Sequence, residues 1–189
     1  LISPMTAQGR DSARPAVAPS LAGAGKRSSR RVLEAPPGVR AIFLVGFMGA
    51  GKTTVGKTLA RRLRWRFVDL DDRIRQREGR DIPEIFRDSG EPAFRAAETA
   101  ALKELLKELK TASPHIVALG GGAFVQPENA QLLKHFGAPT VFLDAPVEEL
   151  RRRCKPKGKS RPLYQDVNLF RQLYEERRSG YMAAGERVD

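Results

Sequence analysis

The chain has 189 residues, of which 41% are hydrophobic and 30% charged, and its 34 basic and 22 acidic side chains give a formal net charge of +12. This length suggests one domain, and because no apolar run approaches the about 20 residues that cross a bilayer, we do not expect an integral membrane protein. The single cysteine excludes an internal disulfide within these residues and a cysteine-rich metal site, so a disulfide-stabilised secreted domain is not expected either.

The positive charge is concentrated in two short segments. Residues 1–40 hold seven basic and two acidic side chains, and residues 151–163 hold seven basic and no acidic ones, so the rest of the chain is neutral overall. Each segment therefore needs its own explanation, and the net charge alone does not indicate a nucleic-acid-binding protein.

Residues 1–40 contain no aromatic residue and five prolines, among many Ala, Ser, Arg and Gly residues. Such a segment cannot bury enough apolar area to offset its ordering entropy, so we predict a disordered basic tail. Its composition would also fit a cleavable organelle transit peptide; we favour a nonfunctional extension or a start placed upstream of the natural Met5. We expect a cytoplasmic protein, or a plastid protein if the tail is a transit peptide.

From residue 41 onward, short apolar runs alternate with longer amphipathic ones, which indicates βαβ units and a parallel sheet covered on both faces. The fold class is therefore α/β, and we predict one domain over residues 41–189. The predicted strands are 41–45, 66–70, 115–119 and 139–143. The predicted helices are 52–63, 72–78, 82–89, 92–109, 127–136, 147–153 and 166–179.

Residues 46–53 (GFMGAGKT) match the phosphate-binding loop pattern G-x-x-x-x-G-K-[ST], directly after one predicted strand and at the start of a helix. The glycines allow backbone N–H groups to point at phosphate oxygens, next to the positive end of the helix dipole. Lys52 would reach the β- and γ-phosphates and Thr53 would hold Mg²⁺. The sequence thus predicts a P-loop NTPase, a three-layer α/β/α sandwich that binds ATP or GTP.

Two carboxylates, Asp69 and Asp71, follow at the end of the second predicted strand, where the loops of a parallel sheet converge on one crevice. One could orient Mg²⁺ and its waters, and the other could accept a hydroxyl proton; the alternative is a solvated strand end. The chain lacks the Asn-Lys-x-Asp motif of a GTPase, and its fourth strand continues into Ala145-Pro146 rather than the Asp-Glu of a motor-type ATPase.

Two further features lie nearby in the predicted fold. Arg95 and Glu98 are three residues apart on a helix, so they can pair and hold the guanidinium still for an anionic ligand. The alternative is an inconsequential surface pair. The triplet Gly120-Gly121-Gly122 after the third strand offers backbone N–H groups for close substrate approach, or is only a flexible turn.

Together these segments resemble the shikimate kinase family, whose fold is like that of nucleoside monophosphate kinases with a mobile lid. The resemblance covers about residues 41–189. The motifs that carry it, in the family's order and spacing, are GFMGAGKT, DLD, FRAAE, LGGGAF, RPLY and RRSGY.

The resemblance implies roles on the nucleotide side of the site. Thr53 is similar to the Mg²⁺ ligand, Asp69 to the residue that supports the metal and its waters, and Arg161 to the lid arginine that closes on the phosphates. Lys52 and Arg161 would act in catalysis. The residues implied to bind ATP are Gly49, Ala50, Gly51, Lys52, Thr53, Thr54 and Arg161.

On the acceptor side, Asp71 resembles the carboxylate that binds a hydroxyl of shikimate and orients or deprotonates the attacking one. Arg95 resembles the arginine that clamps the substrate carboxylate, with Glu98 holding it. Gly121 matches a backbone contact to the substrate, and Arg177, four residues before Tyr181, resembles a second carboxylate-binding arginine.

The basic segment becomes, by this resemblance, a lid over polyphosphate at about residues 154–163. The alternatives are a solvated basic loop and a nucleic-acid patch, the latter disfavoured because no aromatic residue interleaves with the cations before Tyr164. The chain departs from the family pattern at Ser179-Gly180, where a proline is usual, and in the number of lysines in the lid. Family members also continue past the Arg187–Asp189 region with a last strand and a helix, so we expect these to be missing.

The resemblance thus implies a shikimate kinase that would transfer the ATP γ-phosphate to the 3-hydroxyl of shikimate, in the biosynthesis of chorismate and aromatic amino acids. We expect one Mg²⁺ per subunit, a monomer, and no nucleic-acid or membrane partner. The alternatives are a gluconate or nucleoside monophosphate kinase, which would not require FRAAE and RRSGY at these places, and a noncatalytic relative. The latter has no chemical reason to retain Lys52, Asp71 and Arg161 together.

Overall fold

Most of the predicted elements form where the sequence pattern places them. The computed structural model describes residues 37–154 and 166–189; the predicted tail up to residue 36 and the predicted lid from residue 155, including Arg161, lie outside the described residues. The strands are β1 (Ala41–Val45), β2 (Arg66–Asp69), β3 (His115–Ala118), β4 (Thr140–Leu143) and β5 (Glu186–Val188). The described helices are α1 (Lys52–Leu63), α2 (Leu70–Glu78), α3 (Ile82–Leu109), α4 (Pro127–Phe136), α5 (Val147–Arg153) and α6 (Val167–Tyr181).

The five strands form one parallel sheet in the order β2-β3-β1-β4-β5. β1 lies at the centre, with Phe43 opposite Val117 of β3 on one side and Thr140 of β4 on the other. Because the strands are parallel, the segments that follow β1, β2 and β3 leave the sheet at the same edge. This edge therefore receives the phosphate loop, the Asp-x-Asp pair and the glycine triplet.

Both faces of the sheet are covered, as the continuous apolar strands predict. On β1, Phe43 and Val45 pack into a large core with residues of α3, α4 and α6, whereas Leu44 points the other way and packs with Ala60 of α1 and Ile116. Successive side chains of a strand point to opposite faces, so one apolar strand supplies two cores. The predicted α/β P-loop fold with a central parallel sheet is confirmed.

Two predicted helices are joined in the structure. α3 runs from Ile82 to Leu109 with a kink at Gly90, whose φ of 77° and ψ of 175° are not helical. Glycine tolerates this conformation, and Pro92 begins a new helical segment directly afterwards. The gap predicted between residues 89 and 92 is thus a sharp bend at which the chain changes direction without an intervening loop.

The prediction of only four strands was wrong. Glu186–Val188 forms β5, which pairs with β4 through Val141 opposite Glu186. All three residues of β5 are exposed, so this edge strand shows no apolar run that a sequence pattern could detect. No helix in the described part of the chain is long and apolar enough to span a bilayer.

Candidate functional site

The phosphate loop turns tightly between β1 and α1, and its glycines are required there. Gly46, Gly49 and Gly51 have positive φ angles of 140°, 81° and 91°. A β-carbon on Gly46 would lie 2.6 Å from the carbonyl oxygen of Leu143, and one on Gly49 would lie 2.7 Å from that of Leu150. Both backbone conformation and space therefore favour glycine, and the loop packs closely against the end of β4 and α5.

Lys52, the first residue of α1, folds back over this loop. Its Nζ donates hydrogen bonds to the carbonyl oxygens of Gly46, at 2.7 Å, and Phe47, at 3.0 Å. Burial lowers the pKa of Lys52 to about 8, although the negative charges of Asp71 and Asp69 oppose the shift. The ammonium is therefore held inside the curve of the loop, where an anion bound by the loop would meet it.

Asp69 connects the phosphate loop to the second strand. Its Oδ2 accepts a hydrogen bond from Thr53 Oγ1 at 2.9 Å, and its Oδ1 accepts one from the backbone N–H of Asp71 at 3.1 Å. The second bond caps α2, which explains why this helix begins at Leu70, two residues earlier than predicted. Thr53 and Asp69 thus present two hard oxygen donors side by side.

Two oxygen donors of this kind suit Mg²⁺ better than a metal ion whose ligands all come from the protein. Mg²⁺ keeps several waters and is held by one or two side chains together with substrate phosphates. Among residues 37–154 and 166–189, no group of three or more His, Cys, Asp or Glu side chains could hold a metal. The oxygen atoms of Thr53 and Asp69 fit the smaller ligand set.

Asp71 is partly buried beside the glycine triplet. A β-carbon on Gly120 would lie 2.8 Å from Asp71 Oδ1 and 2.8 Å from Glu98 Oε1, so only glycine leaves room for both carboxylates. Burial raises the pKa of Asp71, and the nearby charge of Asp69 adds to this shift whereas that of Lys52 opposes it. A carboxylate with a raised pKa is a better proton acceptor than an exposed one.

Arg95 is held in place by Glu98. Arg95 Nη1 donates to Glu98 Oε2 at 2.9 Å, and Gln126 Nε2 donates to the same oxygen at 2.6 Å. Glu98 is 1% exposed, and burial raises the pKa of its carboxyl while Arg95 opposes the shift. A β-carbon on Gly122 would come within 2.8 Å of Arg95 Nη2, so the glycine triplet also makes room for the guanidinium.

Arg177 approaches the triplet from α6. Its Nη1 would lie 3.7 Å from a β-carbon on Gly121, and its Cζ lies 5.9 Å from the centre of the Phe47 ring. α6 is fixed to the site because the hydroxyl of the buried Tyr181 donates to the carbonyl oxygen of Gly121. Phe47 also makes edge-on contacts with two aromatic rings of α6.

The tertiary structure therefore brings Asp71, Glu98, Arg95 and Arg177 around the three glycines, next to Lys52. Thr54 lies exposed on the first turn of α1, and Ala50 is buried in the loop. The sequence analysis assigned no role to Glu91 or Gln126, which both contact this cluster. Glu91 stands four residues before Arg95, a spacing at which helical side chains can pair. Gln126 is 28 residues from its partner Glu98, so no local spacing could reveal it.

A cavity of about 530 Å³ opens beside the phosphate loop. Its walls come from the loop, from the end of β4 and from α5, α6 and β5, and they include Ala50, Pro146, Arg153 and Val188. At its base the buried Asp144 pairs with Arg178 at 2.7 Å and Arg187 at 3.2 Å. The cavity is large enough for a nucleoside and adjoins the loop that would hold its phosphates.

Comparisons with known proteins agree on one family. A family model described as shikimate kinase matches residues 48–189. A bifunctional shikimate kinase/3-dehydroquinate synthase of Thermotoga maritima is 44% identical over 149 residues, which are 78% of this chain but 28% of that protein. A shikimate kinase of Geobacter metallireducens is 42% identical over 160 residues, covering 83% of this chain and 86% of its own. The solved structure of a shikimate kinase from Acinetobacter baumannii in complex with shikimate has a TM-score of 0.71 and 38% identity, over 80% of this chain and 84% of that one.

Proposed function

The chain belongs to the shikimate kinase family, and we propose that it transfers the γ-phosphate of ATP to the 3-hydroxyl of shikimate. The products are 3-phosphoshikimate and ADP, in the route to chorismate and aromatic amino acids. The observation that carries this proposal is the convergence of one carboxylate, Asp71, and two arginines, Arg95 and Arg177, on the glycine triplet next to Lys52.

The phosphates of ATP bind in the curve of the loop, where backbone N–H groups and Lys52 neutralise them. The ammonium of Lys52 exchanges its two carbonyl acceptors for phosphate oxygens and stabilises the charge that develops during transfer. Gly49, Ala50, Gly51, Thr53 and Thr54 complete the phosphate site. By the family resemblance Arg161, which lies outside the described residues, would also bind the phosphates.

Thr53 would hold Mg²⁺ directly, and Asp69 would orient the ion and its waters. When bound, the ion neutralises charge on the transferred phosphoryl group. The hydrogen bond of 2.9 Å that holds the oxygen atoms of Thr53 and Asp69 side by side supports this assignment. The base of the nucleotide occupies the cavity beside the loop, in contact with Arg153 and Pro146.

Shikimate binds over the glycine triplet. Its carboxylate pairs with Arg95 and Arg177, Glu98 keeps Arg95 in position, and Gly121 contacts the substrate through its backbone. Asp71 then accepts a hydrogen bond from the attacking hydroxyl and takes its proton as the phosphoryl group is transferred.

The experiment that tests this function measures ADP release in a coupled assay across shikimate, gluconate and nucleoside monophosphates. We expect turnover that depends on shikimate and on Mg²⁺. Turnover with gluconate or a nucleoside monophosphate in place of shikimate would overturn the substrate assignment, and ATP binding without turnover on any acceptor would indicate a noncatalytic relative.

The lowered pKa of Lys52 predicts how nucleotide affinity depends on pH. Below its pKa of about 8 the side chain is charged and attracts phosphates; above that value the ammonium loses its proton. The affinity of the free enzyme for ATP should therefore fall by about ten-fold between pH 7 and pH 9. Lys52→Arg should flatten this profile, because a guanidinium stays charged throughout. Fluorescence titration with a nucleotide analogue measures the affinity at each pH. A wild-type affinity that rises between pH 7 and pH 9 would contradict the prediction.

Arg95→Ala should weaken shikimate binding by about 10- to 100-fold, since a hydrogen bond to a charged group contributes about 1.5–3 kcal/mol. The affinity for ADP should change little because Arg95 faces the glycine triplet and not the phosphate loop. Isothermal titration calorimetry with each ligand measures both values. An unchanged affinity for shikimate would remove Arg95 from the site.

A further inference from the structure

A carboxylate of the protein itself, that of Glu91, is bound to Arg95 where a substrate carboxylate could bind. Its Nε and Nη2 both donate to one oxygen of Glu91, Oε1, at 3.1 and 2.9 Å. This side of the guanidinium is one of the edges that can hold a carboxylate with two parallel hydrogen bonds. Glu91 thus accepts the hydrogen bonds that Arg95 would otherwise donate to an anionic substrate.

The two glutamates that contact Arg95 differ in how firmly they are held. Glu98 is 1% exposed and also accepts a hydrogen bond from Gln126, so it is part of the fixed frame. The side chain of Glu91 is 62% exposed, and within the described residues its side-chain hydrogen bonds and ion pair are with Arg95 alone. An exposed ion pair at this spacing is weak, so water or a competing anion can replace it.

The kink in α3 puts Glu91 in this place. Gly90 interrupts the helix with its positive φ of 77°, and Glu91 then stands at the start of the segment that Pro92 continues. From there its side chain reaches one turn forward to Arg95, four residues later. The same bend therefore sets both the direction of the helix that carries Arg95 and the position of the carboxylate that covers it.

We propose that Glu91 is a specificity-determining residue that competes with the substrate carboxylate for Arg95. It holds the Nε and Nη2 donors while the acceptor site is empty and must leave them when shikimate binds. Part of the substrate's binding free energy is then spent on displacing Glu91, and an uncharged ligand, which offers Arg95 no carboxylate in exchange, gains less by displacing it. This inference rests on the proposed function, because it assigns the displaced contact to the carboxylate of shikimate.

The test is Glu91→Gln, which removes the charge and keeps the length of the side chain. We expect its affinity for shikimate, measured by calorimetry, to increase by about two- to five-fold. This is the change expected when the substrate no longer has to break a weak, exposed ion pair. The affinity for ADP should stay as in the wild type. Asp88→Asn is the matched control: Asp88 is an exposed carboxylate on the same helix, before the kink at Gly90, but it pairs with Arg87, so its loss should leave the affinity for shikimate unchanged.

Three results would overturn the inference. If Glu91→Gln weakens shikimate binding, Glu91 positions Arg95 and does not compete for it. If Asp88→Asn tightens binding as much as Glu91→Gln does, the effect is one of general charge and not of the contact with Arg95. Wild-type turnover of shikimate is measured in parallel, because its absence would reject the proposed function, whereas its presence with unchanged affinity in Glu91→Gln would reject only the role of Glu91.

Discussion

Asp71→Asn should lower kcat for shikimate phosphorylation by about 10²- to 10⁴-fold, the range that a positioned general base contributes. Asparagine keeps the shape of the side chain but cannot accept the hydroxyl proton. The raised pKa of Asp71, caused first by burial and then by Asp69, suits this task. Nucleotide binding should be retained because the loop, Lys52 and Thr53 are untouched. Steady-state kinetics give kcat, and calorimetry with ADP gives the affinity.

The matched control for this substitution is Asp72→Asn. Asp72 is the next residue of α2, but it is exposed and pairs with Arg75, so the same chemical change there should leave kcat within about two-fold of the wild type, as for other surface sites. Wild-type turnover in Asp71→Asn would remove Asp71 from the chemistry and with it the proposed mechanism. A loss of ADP binding would instead point to a disturbed phosphate loop.

Lys52→Met should lower kcat by about 10²- to 10³-fold, as expected when one preorganised donor to the developing charge is removed. Methionine fills similar space but leaves the carbonyl oxygens of Gly46 and Phe47 without the donor they now have. The affinity for ATP should fall as well, since the same ammonium contacts the phosphates before and during transfer. Kinetics at saturating ATP separate the two effects.

Lys57→Met is the control for charge on the same helix. Lys57 is exposed on α1, with its Nζ 5.8 Å from the centre of the Phe67 ring, and its loss should affect neither kcat nor ATP affinity. Thermal unfolding of both variants confirms that they fold. A kcat of Lys52→Met within ten-fold of the wild type would show that the other groups proposed to neutralise the phosphates suffice without Lys52.

The phosphate loop could be predicted in full because its chemistry depends on residues next to each other in the chain. Glycines at 46, 49 and 51, followed by Lys52 and Thr53, imply a tight turn and an anion site wherever the segment lies between a strand and a helix. The helices of the domain could also be predicted from the sequence, since the periodicity of their apolar residues is local. β5 was missed for the opposite reason: its three exposed residues form no apolar pattern, and only their pairing with β4 in the folded sheet makes them a strand.

The acceptor side was predictable only in part. Asp71 and Arg95 could be named from short motifs, but no motif states that they meet. Gly120 and Gly122 must lack side chains to admit Asp71, Glu98 and Arg95, and this reason for the glycine triplet becomes visible only when three separate elements are packed together. Gln126 and Glu91 carry no motif at all.

The sequence by itself thus determined the class of chemistry: a nucleotide-binding loop, a metal-compatible Thr and Asp pair, and candidate groups for an anionic acceptor. These follow from local spacing, which sets which backbone amides and side chains can serve one ligand. Only the tertiary structure decided that Gln126 contacts Glu98, that Glu91 occupies two donors of Arg95, and which cavity adjoins the loop. Those properties depend on desolvation and on contacts between residues far apart in the chain, such as Glu98 with Gln126, and they arise when parallel strands bring their ends to one edge of the sheet.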